Sequence, residues 1–253
     1  MYHNGIVKIE SGSFKGLSNL EALSLTGNKL SNIDEGIFLQ TIEIKLLDLR
    51  RNEIREIKAN HFKGLVSLQE LDLNNNEITF IEPMAFEGLN LLILDLDGNR
   101  LSIIKKNAFS GLGVQKLLLE KNQIEMIEAG SFAGVKKLQL LNLANNNVHT
   151  IYSNSFAGIS ADTINLFGNQ ITSIQAHAFD NVTLRELDLD SNKLSKIDGN
   201  AFTSSSLEVL RLTFNNISSL SVSDFELLPK LDLLYLELLS DREYYFTGFT
   251  SLG

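Results

Sequence analysis

The amino-acid sequence predicts a curved solenoid of the α/β repeat class, a horseshoe with a parallel β-sheet on its concave face and loops or short helical turns on its convex face. Three observations predict it. Asn28, Asn52, Asn76, Asn99, Asn122, Asn146, Asn169, Asn192 and Asn215 recur at intervals of 24, 24, 23, 23, 24, 23, 23 and 23 residues, and Asn4 extends the series by a further 24. Phe14, Phe38, Phe62, Phe86, Phe109, Phe132, Phe156, Phe179, Phe202, Phe225 and Phe249 follow the same period, so eleven of the 15 Phe occupy one phase. Short alternating segments such as Leu71-Asp72-Leu73 have the two-residue period of a strand with one buried face. A period this short cannot house a strand, a full helix and two loops around a closed sheet, so each unit must be one coil of a stack.

Aligned on the Asn, the unit reads L-x-x-L-x-L-x-x-N-x-L-x-x-I-x-x-x-x-F-x-G-L, with the first Leu at position 1 and the Asn at position 9. Units begin at Leu20, Ile44, Leu68, Leu91, Val114, Leu138, Ala161, Leu184, Leu207 and Leu231, preceded by a partial repeat over residues 1–19. The whole chain, 1–253, therefore reads as one domain with no capping domain at either end. Ten strands spaced about 4.8 Å apart make a ribbon on the order of 45 Å long, curved because the strand side packs tighter than the opposite side. Asn is required at position 9 because the chain turns out of the strand inside the stack, where an amide supplies both a donor and an acceptor to backbone groups that water cannot reach. Phe at position 19 fills the wide side, and neighbouring rings can stack. Gly at position 21 (Gly16, Gly64, Gly88, Gly111, Gly134, Gly158) suits a tight turn, and its loss from Asp180-Asn181 onward predicts less regular convex loops near the C-terminal end. In the last unit Leu239 replaces the ladder Asn, Asp241 sits where Leu belongs and Tyr244 replaces Ile, before Phe249 and Leu252 restore the frame. Drift in a terminal coil and a hinge or capping boundary explain that departure equally well.

This pattern resembles the leucine-rich repeat family, in the short subtype found in animal cell-surface and secreted proteins such as Toll receptors, Slit and chaoptin. The F-x-G-L ending (Phe14 to Leu17, Phe62 to Leu65, Phe86 to Leu89, Phe109 to Leu112) separates this subtype from longer intracellular repeats, and Ile81 to Leu89 looks like an invertebrate ectodomain. Such families usually close their ends with Cys-rich caps, which are not found here, and Met1-Tyr2-His3-Asn4-Gly5 lacks the charged start and apolar run of a secretory signal. The expectation is a piece of a longer ectodomain. Uncovered, Ile6, Ile9 and Phe14 at one end and Leu231, Leu234, Leu236 and Phe249 at the other would favour homo-association.

Composition removes several function classes. With 22 Lys+Arg against 31 Asp+Glu, the net charge of −9 disfavours nucleic acid or an anionic membrane surface as a primary partner. No run of about 18 uncharged apolar residues would insert into a membrane. Zero Cys excludes disulfides, thiol nucleophiles and Cys-type metal sites, so no metal or cofactor is expected. The four His (His3, His61, His149, His177) fall in different coils or phases, and no G-x-S-x-G elbow or P-loop is present. No enzyme is expected.

Function must then live on the concave positions 3, 5, 7, 8 and 10. Asp48, Asp72 and Asp95 at position 5, with Asp97 and Glu120 at position 7, form an acidic strip, accompanied by Arg50, Asn74, Asp190 and Arg211. Three readings stay open: a solvated face, a docking site for a basic patch on a protein ligand, and a calcium site, which would need oxygens converging on a point where a ladder offers a line. Towards the C-terminal end Phe167, Phe214 and Tyr235 place aromatics where water should be, either as a binding hot spot or as a surface covered by a neighbouring segment. Asn181-Val182-Thr183 and Asn216-Ile217-Ser218 are candidate glycosylation sites. Two functions fit: an extracellular receptor or adhesion module binding a protein ligand at the cell surface, and a cytoplasmic scaffold or adaptor, for which zero Cys speaks.

Overall fold

The computed structural model describes residues 4–136, 138–203, 206–238 and 242–247. Ten parallel strands form one sheet in chain order: β1 (Ala22–Ser24), β2 (Leu46–Asp48), β3 (Glu70–Asp72), β4 (Asn90–Asp95), β5 (Gly113–Leu118), β6 (Leu138–Asn142), β7 (Ser160–Asn165), β8 (Thr183–Asp188), β9 (Val209–Arg211) and β10 (Leu233–Leu238). Position 5 stays in register along the sheet, with Asp48 beside Asp72, Asp72 beside Asp95, and Asp188 beside Arg211. The alternation that predicts the strands places Leu71, Leu94, Leu117, Leu141, Ile164 and Leu187 in the core at 0 or 1% exposure.

The Asn ladder holds the turns. Asn76 Nδ2 donates to Leu73 O of its own coil at 2.9 Å and to Leu49 O of the coil before at 3.1 Å, while its Oδ1 accepts the Ile54 N–H at 3.1 Å. The same three bonds recur at Asn52, Asn99, Asn122, Asn146, Asn169, Asn192 and Asn215. From Asn28 to Asn215 these side chains are buried, so each supplies polar partners that solvent cannot.

On the opposite side the Phe rings stack face to face, with centroids 5.1 to 6.0 Å apart in the pairs from Phe62 to Phe202. Strands in a sheet repeat at about 4.8 Å. The wider spacing of the ring stack therefore bends the solenoid with its strands on the inner face.

Strand length varies along the sheet. The six-residue strands β4, β5, β7 and β8 each start at the last residue of a 23-residue unit, whereas β2 and β3, which follow 24-residue units, start two residues into the new unit and are three residues long. The extra residue is spent on a turn before the sheet. Position 8 carries a second regularity: Gly27, Arg51, Asn75, Gly98, Lys121, Asn145, Gly168, Ser191 and Phe214 all take φ between 53° and 66°, the left-handed region that favours Gly and Asn.

Two features of the C-terminal units go beyond the sequence reading. Asn181 at position 21 adopts φ 53° like the Gly residues it replaces, so the regular convex turn persists one unit further than its sequence implies. Beyond it the loops do change, to the short 3-10 turns Gly199–Phe202 and Val222–Asp224. The last unit does not run on as another coil, because β11 (Arg242–Thr247) folds back antiparallel against β10, pairing Tyr235 with Tyr245 and Leu236 with Tyr244. The sequence of this unit lacks the ladder Asn, whose amide turns the other coils out of the sheet. Leu239, Asp241, Phe249 and Leu252 lie outside the described residues.

Candidate recognition face

The acidic strip has a structural duty that its sequence only partly discloses. At position 5 the side-chain Oδ1 accepts the backbone N–H two residues on, in Asp48 from Arg50 (3.2 Å), Asp72 from Asn74 (3.0 Å), Asp95 from Asp97 (2.9 Å), Asn142 from Ala144 (3.2 Å), Asn165 from Phe167 (2.9 Å) and Asp188 from Asp190 (2.9 Å). These are Asx turns, and they start each chain's exit from the sheet. Because Asn serves in place of Asp, what these six coils use is an acceptor and not a charge; where position 5 is Leu118 or Arg211, the N–H two residues on is taken instead by Asp97 or Asp190 of the coil before. The mixture of Asp and Asn at position 5 was the available signal.

Charge remains on this face and is unevenly compensated. Asp48 is only 5% exposed and is fully engaged, accepting from Ser24 Oγ at 3.1 Å and pairing with the Arg50 guanidinium at 3.3 Å. Arg50 reaches Asp72 as well, at 3.6 Å. Asn74 is half-buried and accepts from Asn75. Among the described residues no Lys or Arg forms an ion pair with Asp95 or Asp97. Asp97 spends one oxygen on the Glu120 N–H of the next coil, at 2.5 Å. Burial, with the Asp95 charge beside it, pushes the Asp97 carboxyl up to about 7. Burial likewise raises Asp72, with Asp95 and Asp48 adding to the effect. Glu120 goes the other way, held low first by Lys121 at 3.0 Å and then by the amides of Asn142 and Asn145.

The C-terminal stretch of the face is built differently. Arg211 Nε donates to Glu186 at 2.7 Å while its guanidinium lies 4.3 Å from the Tyr235 ring centroid, so Tyr235 is capped by a cation that is itself neutralised. Glu186, at position 3, is a participant that the sequence reading missed. Asp190 accepts the Thr213 N–H at 2.6 Å, and burial raises both Asp188 and Asp190. Phe167 is 39% exposed and Phe214 is 65% exposed. Phe214 occupies the left-handed position 8, where an aromatic side chain costs about 1 to 2 kcal/mol of backbone strain relative to Gly. Val209, at position 3 of the same stretch, is buried. Asn181 and Asn216 are both exposed, the first on the convex side and the second next to Phe214 and the ladder.

No group of three or more His, Asp or Glu side chains among the described residues is arranged to hold a metal ion. No helix among them is long and apolar enough to cross a membrane.

A stack of one-strand coils with an Asn ladder, a Phe stack and a side-chain-rich inner sheet defines a solenoid recognition module. The chain belongs to the leucine-rich repeat family: the family described as Leucine rich repeat matches residues 2–41 and 42–101, and the family described as BspA type Leucine rich repeat region (6 copies) matches residues 102–232. Family and fold are typically non-catalytic. No curated protein matches the sequence. Among solved structures, TLR13 in its complex with ssRNA13 is similar at 28% identity and a TM-score of 0.77, over 89% of this chain and 34% of that one. Toll in the Toll and Spatzle complex of Drosophila is similar at 24% identity and a TM-score of 0.66, over 92% of this chain and 28% of that one. The octameric complex of Latrophilin 3, Unc5D and the LRR of FLRT2 is similar at 22% identity and a TM-score of 0.68, over 89% of this chain and 71% of that one. The chain thus spans about a third or less of the first two proteins.

Proposed function

We propose that this chain is a non-catalytic recognition module of an extracellular receptor or adhesion ectodomain, and that its concave face binds a protein ligand carrying a basic patch. The observation that carries this reading is the pair Asp95 and Asp97, half-buried side by side with no ion-pair partner among the described residues. Like charges held together at low hydration are relieved by a partner's Lys or Arg, and a partner that seals the site removes the competing water. Phe167 and Phe214 supply apolar anchors on the same face. The Toll and FLRT2 structures, both complexes with protein partners, support the class of ligand. TLR13 binds single-stranded RNA, but a face this acidic opposes a phosphate backbone.

The test is a biosensor screen of immobilised chain against basic and acidic secreted proteins and against single-stranded RNA. A basic protein should bind, with an association rate that falls steeply with salt, because unpaired surface charges act over a Debye length of about 8 Å at physiological ionic strength. Replacing Asp72, Asp95 and Asp97 with Lys should slow association, while Phe167→Ala and Phe214→Ala should speed release. Binding to RNA but to no protein, or protein binding indifferent to both sets of changes, would reject the proposal.

A further inference from the structure

The chain has two N-x-S/T triplets, Asn181-Val182-Thr183 and Asn216-Ile217-Ser218, and each is preceded by a Phe two residues before its Asn, in the strings Phe179 to Thr183 and Phe214 to Ser218. As strings the two are equivalent; in the fold they are not. Phe179 is 1% exposed and lies between Phe156 and Phe202 at centroid distances of 5.1 and 5.4 Å, so both faces of its ring are taken. Phe214 is 65% exposed.

The local backbone turns Phe214 and Asn216 outward together. Asn215 between them is buried: its Nδ2 donates to Leu189 O at 2.9 Å and to Leu212 O at 3.0 Å, and its Oδ1 accepts the Leu194 N–H at 2.9 Å. The Asn216 N–H donates to Leu194 O at 2.8 Å and Ile217 is buried, which fixes the chain just past the ladder residue. With the middle residue drawn in, the side chains on either side of it leave towards solvent, and Asn216 and Ser218 are both exposed. In the coils from Gly27 to Ser191 the counterparts of Phe214 are Gly, Asn, Arg, Lys or Ser at the same positive φ. The coil that breaks this rule with an aromatic is also the coil that places a sequon beside it.

We propose that Asn216 carries an N-linked glycan whose first N-acetylglucosamine lies on the ring of Phe214. The C–H groups on one face of that sugar are polarised by its oxygens and meet the negative face of the aromatic ring, while the hydroxyls at its edge stay in water. Attachment joins Asn216 Nδ2 to C1 of the sugar. The C1–O bond to the pyrophosphate of a lipid-linked oligosaccharide breaks, the pyrophosphate leaves with the bonding pair, and the amide gives up one proton. Donor and transferase are those of the secreting cell, so the proposal rests on the extracellular reading given above. It adds a regulation to the concave face: sugar and protein ligand compete for one ring, and occupancy of Asn216 decides whether a ligand can use it. A glycan on Asn181, whose Phe is buried, has no such platform.

The test needs no ligand. The full chain is secreted from cultured animal cells behind a heterologous signal peptide, and mass spectrometry of the tryptic peptide 212–230, which contains Asn216 and not Asn181, should show the glycan. Thermal unfolding then compares the unchanged chain, Asn216→Gln, Phe214→Ala and the double variant, each purified to full or zero occupancy at residue 216. Ala at φ 56° bears the same kind of backbone strain as Phe, so that substitution removes only the ring. Loss of the glycan should lower the midpoint by about 2 to 4 °C while the ring is present, and should leave it unchanged once the ring is gone. Asn181→Gln should leave the midpoint unchanged in either background. The proposal is overturned if residue 216 is secreted without a glycan, or if losing the glycan shifts the midpoint equally with and without the ring. Either failure leaves the concave reading standing on Phe167 and the acidic pair, whereas a screen that finds no protein ligand would reject that reading and leave the glycan in place.

Discussion

From Asp48 to Glu120 the concave face is a run of carboxylates in which Arg50 serves two and, among the described residues, Asp95 and Asp97 have no ion-pair partner; from Phe167 to Tyr235 it is a set of exposed rings and a matched Glu186–Arg211–Tyr235 cluster. Both stretches sit on the same repeat positions, the same Asx turns and the same Asn ladder. The frame is therefore indifferent to what its surface positions carry, and each stretch bears its cost in a different currency: repulsion and desolvation in the first, backbone strain and exposed apolar surface in the second.

If the frame is shared, damage to it should be equal in the two halves. Asn122→Ala and Asn192→Ala should each destabilise by about 2 to 3 kcal/mol in urea unfolding, since each removal leaves buried backbone groups unpaired. Unequal losses would show that one half relies on its ladder less than the other.

Substitution of a surface carboxylate should act with the opposite sign. Asp97→Asn keeps the acceptor for the Glu120 N–H and removes the charge, so it should stabilise the chain at pH 7 by about 1 to 2 kcal/mol, a value reduced by solvent screening at a half-buried site. The folded carboxyl holds its proton more tightly than the unfolded one, so stability should decline as pH rises from about 4 to about 7, and the variant should lose this slope. Asp48→Asn, at a paired carboxylate, should not stabilise, because it removes the nearer of the two carboxylates that Arg50 pairs with.

In the C-terminal stretch the parallel change is Phe214→Asn, which relieves the left-handed strain and should stabilise by about 1 kcal/mol in the same measurement. A residue kept at such a cost in stability is expected to matter for binding, so the variant should also release a bound protein faster.

The smallest expected effect lies outside the face. His61 is buried, and its Nδ1 accepts the Lys58 N–H at 3.2 Å. Burial, then Lys58, holds its protonation below the usual 6.5, so its contribution is complete above pH 6.5 and is lost as pH falls from there. His61→Asn should keep the acceptor and flatten this acid limb, which a stability profile from pH 7 to 5 would detect.

Register, ladder and ring stack were legible in the sequence because each is the same side chain doing the same task every 23 or 24 residues, and repetition makes a weak local signal additive. Concave chemistry was legible only as a roll of residue types. The sequence reading placed Asp48 and Asp97 in one strip, yet Asp48 is buried under Arg50 while Asp97 faces carboxylates on both sides. Position 8 shows a partial signal, Gly or Asn in five of nine coils, that acquires meaning only once every φ there proves positive.

Taken alone, the sequence determined the coil, its period and its family, because those follow from contacts each unit makes with an identical copy of itself. Tertiary structure alone decided which carboxylates are paired and where the last strand turns back. Those outcomes depend on what the adjacent coil places about 5 Å away, where one extra residue or one missing amide shifts a partner out of reach.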